Sequence, residues 1–389
     1  MSKSWLDFLE RLLVILLAGF AFWPNGVSTT SLILLVAIRL FRERSFPRSS
    51  LRFILLLTPL FLILLSWVLF GFHPKGLSEI RLLPLMLGCA VYFYSAKTFD
   101  LFKQSFIGWS VLQAAFILIF FTTIDLDPNL SLSQQIRDLI GESFNLHPTF
   151  LSVAWSWALL IALTNERLKP VSKAVIAIVL VLALALAGGK MPLLALVATG
   201  FLLLLAIPTI RLWKKLALGL SIGMVLTALV FSPFIGKRFA ELKDIKTQFS
   251  EGDLLSSTDL RVGVWRCAIQ SIGDHIWTGV GVGNSRQTLE TCYSSYHQIE
   301  FFDGEYNTHN QWMHFWLTGG VLSILLFILF YIGIIRIAVR KQQIELLAFL
   351  VFFGLICLTE NYFSRQFGML FWSLFLFGIL SEKRLESLR

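Results

Sequence analysis

The chain has 389 residues, 56% of them hydrophobic and only 15% charged, with a mean hydropathy of +0.74. A soluble globular protein carries about 25% charged residues, so this composition excludes an ordinary soluble enzyme and indicates a polytopic membrane protein. The formal net charge of +9 reads as topology rather than nucleic-acid binding, because most Lys and Arg lie in hinges between apolar runs.

The N-terminal MSKSWLDFLERLLVILLAGFAFW carries acids before its apolar run and no small-residue cleavage site, so a retained first helix is expected. About twelve apolar segments follow one another, near 8–23, 28–41, 52–70, 77–95, 104–123, 148–163, 171–187, 191–207, 214–235, 311–335, 344–359 and 367–380. Most are close to the length that crosses roughly 30 Å of hydrocarbon as helix; the second and eighth are short. No internal repeat is visible, which weighs against the repeat-built transporter folds.

Basic residues set the orientation. Arg42, Arg44 and Arg48 follow the second segment, Arg167 and Lys169 the sixth, and Arg211, Lys214 and Lys215 the eighth. Arg336, Arg340 and Lys341 follow the tenth, and Lys383, Arg384 and Arg389 sit in the tail. All are even-numbered hinges. The odd hinges are poorer: PNGVSTT has no basic residue and DLDPNLSLSQQIRDLIGES only Arg137. The positive-inside rule then puts both termini in the cytoplasm. The expected fold is all-α: a polytopic membrane protein with about 12 transmembrane helices and one large outer helical loop. Residues 1–235 would form nine spans, 236–309 the loop, and 310–389 three spans and a cytoplasmic tail.

Lys190 sits in LALALAGGKMPLLAL, between two apolar runs with almost no loop. It is either a cation facing a polar cavity at the outer edge of the bundle or a lysine snorkelling to the interface. The two glycines and Pro192 mark a tight break there. In the loop, KRFAELKDIKTQF sets Phe239, Leu242, Ile245 and Phe249 opposite Lys237, Lys243 and Lys246, as an interfacial helix would. SSTDL supplies capping residues for a second helix, RVGVWRCAIQSI. Val262, Trp265 and Ile269 are its expected packing face, with Arg261 in the first turn and Arg266 elsewhere. GVGVGN, with Gly279, Gly281 and Gly283, lacks the βαβ context of a dinucleotide fingerprint and reads as a turn that presents backbone amides.

Cys89 and Cys357 fall in apolar runs and read as core residues. Cys267 and Cys292 share the loop and are either disulfide-bonded or free. Finally NTHNQWMHFW opens the tenth span, with Thr308 or Asn307 as caps and His309 in the first turn; His314 falls on another face. Asp125 and Asp127 form a DxD better explained as a turn at Pro128, and His275 and His297 lack a metal-ligand spacing. No metal and no cofactor are expected.

These residues together resemble the O-antigen ligase and polymerase superfamily, bacterial membrane glycosyltransferases of the GT-C type. The resemblance rests on Ala187 to Gly320 and on LTENYFSRQFG: a cation before the loop (Lys190, where the family usually has Arg), Arg261 in TDLRVGVW, GVGVGN, and the pair His309–Asn310. HPTF with His147 and TEN with Glu360 are less specific parts of it. It implies a donor glycan on undecaprenyl diphosphate and an acceptor hydroxyl on lipid A core, without metal, at the periplasmic face of the bacterial inner membrane. Arg261 and Lys190 would hold the diphosphate charge that develops on bond cleavage, and His309 would take the acceptor proton. Arg266, Asn310, His147, Gly281 and Gly283 would complete the substrate site. Membrane lipids are implied partners; nucleic acid is not.

Polymerisation, with a second lipid-linked glycan as acceptor, is the nearest alternative. A lipid-linked glycan transporter would need ionisable groups near mid-membrane, and the unusual charges gather at one face instead. A structural or sensory membrane protein would place no demand on Arg261 or His309.

Overall fold

The structure is a computed structural model and describes residues 3–43, 57–93, 97–123, 132–144, 146–206, 245, 255–296, 301 and 306–386. Every regular element among the described residues is helical. In chain order these are α1 (Lys3–Ala18), α2 (Asn25–Glu43), α3 (Thr58–Leu69), α4 (Leu77–Ile80), α5 (Leu83–Phe93), α6 (Phe99–Phe121) and α7 (Leu132–Phe144). They are followed by α8 (Pro148–Thr164), α9 (Pro170–Ala187), α10 (Lys190–Ala206), α11 (Ser257–Asp274) and α12 (Ser285–Tyr293). The chain closes with α13 (Gln311–Arg340), α14 (Ile344–Ile356) and α15 (Gln366–Glu386).

Prolines and glycines set the punctuation. Pro148 and Pro170 open α8 and α9 at the first position, where a missing N–H costs nothing. Gly188 ends α9 in the left-handed conformation, φ +62°, and α10 begins two residues later at Lys190. The tight break expected from the glycines is therefore present, and it delivers Lys190 at a helix N-terminus.

Aromatic side chains form the core. Phe371, Trp372 and Phe375 of α15 are fully buried. Phe375 receives the edges of Phe102 and Phe106 from α6 at 5.4 and 5.0 Å, while Trp372 packs on Phe353 of α14 at 4.7 Å. Cys89 and Cys357 are free and buried in the core. The outward faces are apolar as well: Val171, Leu69, Ile119 and Leu329 are all exposed. An apolar exterior of this extent suits hydrocarbon rather than water.

Among the described residues four helices are long and apolar enough to cross a membrane: Pro74–Phe93 (a 3-10 turn, α4 and α5), α6, α9 and α13. A fifth is added if Gln135–Phe144 and Pro148–Thr164, bent by 81° at their break, form one broken span. This is fewer than the twelve apolar segments of the sequence. The 12-residue α3 is one reason: at 1.5 Å per residue it covers only about 18 Å. Thr58–Leu69, Lys190–Ala206, Ile344–Ile356 and Gln366–Ser381 are shorter apolar helices. The apolar segment near 214–235 and the basic amphipathic stretch after it, Ile245 apart, lie outside the described residues, as do Asp125, Asp127 and His297.

Three local features differ from the sequence reading. First, the hinge holding Arg137 contains a helix, α7, which buries Ile136, Leu139 and Ile140. Second, α11 packs through Val264, Cys267, Ala268 and Ile272 against Leu289, Tyr293, Phe301 and Leu317, leaving Ile269 exposed. The reason is the partner: α12 is joined to that face by a Cys267–Cys292 disulfide. Third, α13 is kinked at Gly320, φ +68°, and the glycine turn sits in the kink. Val280 and Gly281 donate their amides to Leu317 and Thr318 carbonyls at 2.8 and 3.0 Å, and Val321 donates to Ile276 O at 2.9 Å.

Candidate functional site

Three helix N-termini meet at one place. Lys190 opens α10, and its Nζ donates to Thr258 Oγ1 in the first turn of α11 at 3.0 Å. Arg261, also near the start of α11, donates through Nη2 to Glu360 Oε1 at 3.0 Å. His309, just ahead of α13, places Nδ1 3.3 Å from Glu360 Oε2. Residues separated by as many as 170 positions thus form one chain of contacts. The partial positive charge of each helix N-terminus adds to the two cations.

The start of α11 is built to hold this position. Ser256 and Asp259 form a reciprocal capping box, each side chain bonded to the other's backbone amide. Arg261 is only partly buried, and its Nη1 reaches the Ser257 carbonyl at 3.4 Å. Its Nε is buried without a hydrogen-bond partner. That leaves a charged donor unsatisfied inside the site, a costly arrangement unless an anionic oxygen fills it.

His309 is held by its neighbours rather than by a helix. Its backbone is left-handed, φ +43°, a conformation that costs free energy for a side chain of this size. Four hydrogen bonds stitch the segment around it to the loop after α14. Thr308 Oγ1 and the Asn310 amide both donate to Asn361 Oδ1, at 3.0 and 2.8 Å. Gln311 N donates to Cys357 O and Phe363 N donates to Gln311 Oε1, each at 2.9 Å. The helix cap is Asn310, which accepts from Trp312 N and Met313 N, rather than Thr308 or Asn307. His309 therefore precedes the first turn instead of lying in it.

Glu360 is the hub, and its carboxyl is only 11% exposed. Burial pushes its pKa up, but the hydrogen bond and charge of His309 and the charge and hydrogen bond of Arg261 outweigh burial. The carboxyl is held down at about 2, against an ordinary 4.5. It is ionised at neutral pH and can only accept, so the His309 Nδ1 carries a proton, and in the neutral imidazole the lone pair lies on Nε2.

His147 caps α8, its Nδ1 accepting from Thr149 N at 3.3 Å, and lies within electrostatic reach of Glu360, Arg261 and His309. Arg266 is exposed on a different face of α11, with its charge felt at Tyr296. His314 is buried and bonded to Glu79 at 3.1 Å, on a face apart from His309, as its spacing implies. Gly281 and Gly283 pack rather than open: a Cβ at either would strike Phe70 or His73 at 2.5 and 2.7 Å. The amides of Val280, Gly281 and Val282 are already bonded to Leu317 O, Thr318 O and Ser66 Oγ. The expected amide-presenting turn is thus corrected to a docking turn, its donors consumed by α13 and α3.

A family model described as O-antigen ligase matches residues 175–328, a stretch that contains Lys190, Arg261 and His309. Over that stretch the chain is similar to the O-antigen ligase family. No curated protein matches the chain. The ligase-family stretch supplies the cations and the imidazole, whereas Glu360 and His147 lie outside it. Sequence reading noted Glu360 only as part of a recurring TEN segment. The signal that marks it is an acid at the end of one apolar run and just before the next.

Proposed function

We propose that the protein is a membrane glycosyltransferase that moves a glycan from undecaprenyl diphosphate to an acceptor hydroxyl, most specifically as an O-antigen ligase acting on lipid A core. The observation that carries this reading is the convergence of Arg261 and His309 on Glu360, with Lys190 bonded to Thr258 one turn before Arg261. Breaking a sugar–phosphate bond leaves extra negative charge on the diphosphate. Two cations and three helix N-termini stabilise that charge without a general acid. Arg261 suits the role because its guanidinium stays ionised and can hold two oxygens. His309 Nε2, fixed as the basic nitrogen by Glu360, takes the acceptor proton as the hydroxyl attacks the anomeric carbon. Glu360 is a positioning residue in this scheme.

The proposed topology has about twelve spans, both termini cytoplasmic and the loop periplasmic, in the bacterial inner membrane. The Cys267–Cys292 disulfide supports an oxidising side for the loop. Lys190, Arg261 and His309 are proposed as catalytic residues. Asn310 and His147 are proposed as substrate-site residues; Arg266, Gly281 and Gly283 would act at the site's margin or through its framework. Metal independence is part of the proposal, and loss of transfer in chelator that Mg²⁺ or Mn²⁺ restores contradicts it.

A deletion strain tests the function directly. A ligase predicts free, long lipid-linked polymer and no attachment to core, with rescue by the wild-type gene but not by His309→Ala. A single repeat unit on core identifies the same chemistry as polymerisation instead. Normal attachment in the deletion strain overturns both.

A further inference from the structure

Beside His147 lies a broad, largely open surface pocket of about 430 Å³. Among the described residues its walls are Arg137, Asp138 and Gly141 of α7, and Leu146, His147 and Pro148 at the break before α8. His147 connects this pocket to the Glu360 cluster, since it lies in the field of Arg137 on one side and of Arg261, His309 and Glu360 on the other.

The wall is built by α7. Ile136, Leu139 and Ile140 fix one face of this helix in the core, and Phe144 anchors its end on Phe22 and Phe116 at 5.8 and 5.7 Å. Arg137 and Gly141 are one turn apart on a neighbouring face. Gly141 is a glycine inside a helix, where glycine is unfavourable. No packing demands it: a Cβ built there meets nothing within 4 Å. The space beside it belongs to the cavity.

The chemistry of the walls selects a ligand class. Arg137 donates, and Asp138 is an acceptor when ionised. His147, whose Nδ1 already accepts from the Thr149 amide, carries its neutral-form proton on Nε2 and donates. Leu146 and Pro148 add apolar surface. A phosphate would be repelled by Asp138. A pyranose, with hydroxyl edges that both donate and accept and with apolar C–H faces, meets an acid, two donors and an apolar wall together. We propose that this cavity is a saccharide subsite that holds sugar rings of the acceptor next to His309, with Arg137 and Asp138 as specificity residues. The assignment rests on the glycosyltransferase reading and adds where the acceptor glycan sits.

Purified full-length protein in detergent, titrated with core oligosaccharide freed of lipid A and, separately, with undecaprenyl diphosphate, tests it. Gly141→Trp fills the cavity, whereas Gly141→Ala adds one methyl group in open space to a better helix former and controls for folding. The expected result is saturable oligosaccharide binding weakened at least tenfold by Gly141→Trp and by Arg137→Ala with Asp138→Asn, and unchanged by Gly141→Ala. Undecaprenyl diphosphate binding should be the same in all of them and weakened by Arg261→Ala. In transfer assays Gly141→Trp should raise the KM for acceptor and leave that for donor. Oligosaccharide binding indifferent to Gly141→Trp, with diphosphate binding still dependent on Arg261, overturns the subsite and leaves the enzyme reading standing. A rise in donor KM alone reassigns the sugar to the donor glycan and overturns the acceptor assignment. Failure of wild-type protein to bind either ligand removes both.

Discussion

Among the described residues, Glu360 both balances Arg261 and fixes the tautomer of His309. Holding its carboxyl near 2 rather than 4.5 corresponds to roughly 3 kcal/mol of preference for the charged form. Because the folded pKa is depressed, that stabilisation is present above about 4.5 and is lost as pH falls towards 2. Thermal unfolding in detergent should therefore show wild type losing stability between pH 4.5 and 2, with a flatter profile for Glu360→Gln. Parallel profiles contradict the ion-pair account. In transfer, Glu360→Gln should lower kcat more than it raises KM, because the imidazole is still present but no longer oriented. Lys190→Ala should cost about 10²–10³-fold in rate, as the loss of one charge-stabilising donor does. Lys190→Arg keeps the charge and adds a fork for two oxygens, so it should retain activity. Lys190, Arg261 and His309 were legible because each stands beside a helix start or a break that the sequence displays. The role of Glu360 was not, since its partners lie 51 and 99 positions away and no local pattern records them.

Among the elements, the glycine turn and the α13 kink form one interlocked joint. A Cβ on Gly320 would lie 2.1 Å from the Trp277 carbonyl oxygen, and the residue's φ of +68° disfavours any side chain. Gly320→Ala should therefore reduce folded protein sharply, read as a lost monodisperse peak in detergent chromatography, while Gly273→Ala, in open space, should not. The sequence displayed both glycine clusters but not that they meet, so Gly281 and Gly283 looked like ligand contacts. The packing face of α11 was misread for a related reason. Its buried side is chosen by α12 and the Cys267–Cys292 disulfide, a long-range constraint that periodicity does not carry. Replacing both cysteines by serine should cost about 3 kcal/mol, the scale for closing a loop of this size. The check is a lower Tm of the purified protein, and an unchanged Tm contradicts a structural role. Helix α7 was hidden because its polar face dilutes the apolar signal of Ile136, Leu139 and Ile140.

At the scale of the whole molecule, composition alone established an apolar helical protein, and the apolar outer faces agree with it. The number of spans was less legible. Apolar runs such as that around α3 become helices too short to cross alone, and the break between α7 and α8 divides one run of helix into two directions. What the fold achieves is convergence: α10, α11 and α13 start at one end of the bundle, and the loop after α14 returns Glu360 to the same point. The central claim is that this convergence is a single reaction site. The direct measurement is the rate of glycan transfer from a defined undecaprenyl diphosphate-linked donor by purified protein in detergent. Correctly folded Arg261→Ala and His309→Ala variants are compared with wild type, singly and together. The account predicts losses of about 10²–10⁴-fold for each single variant, with the double variant losing much less than the product of the two. Transfer at the wild-type rate in either variant would contradict it.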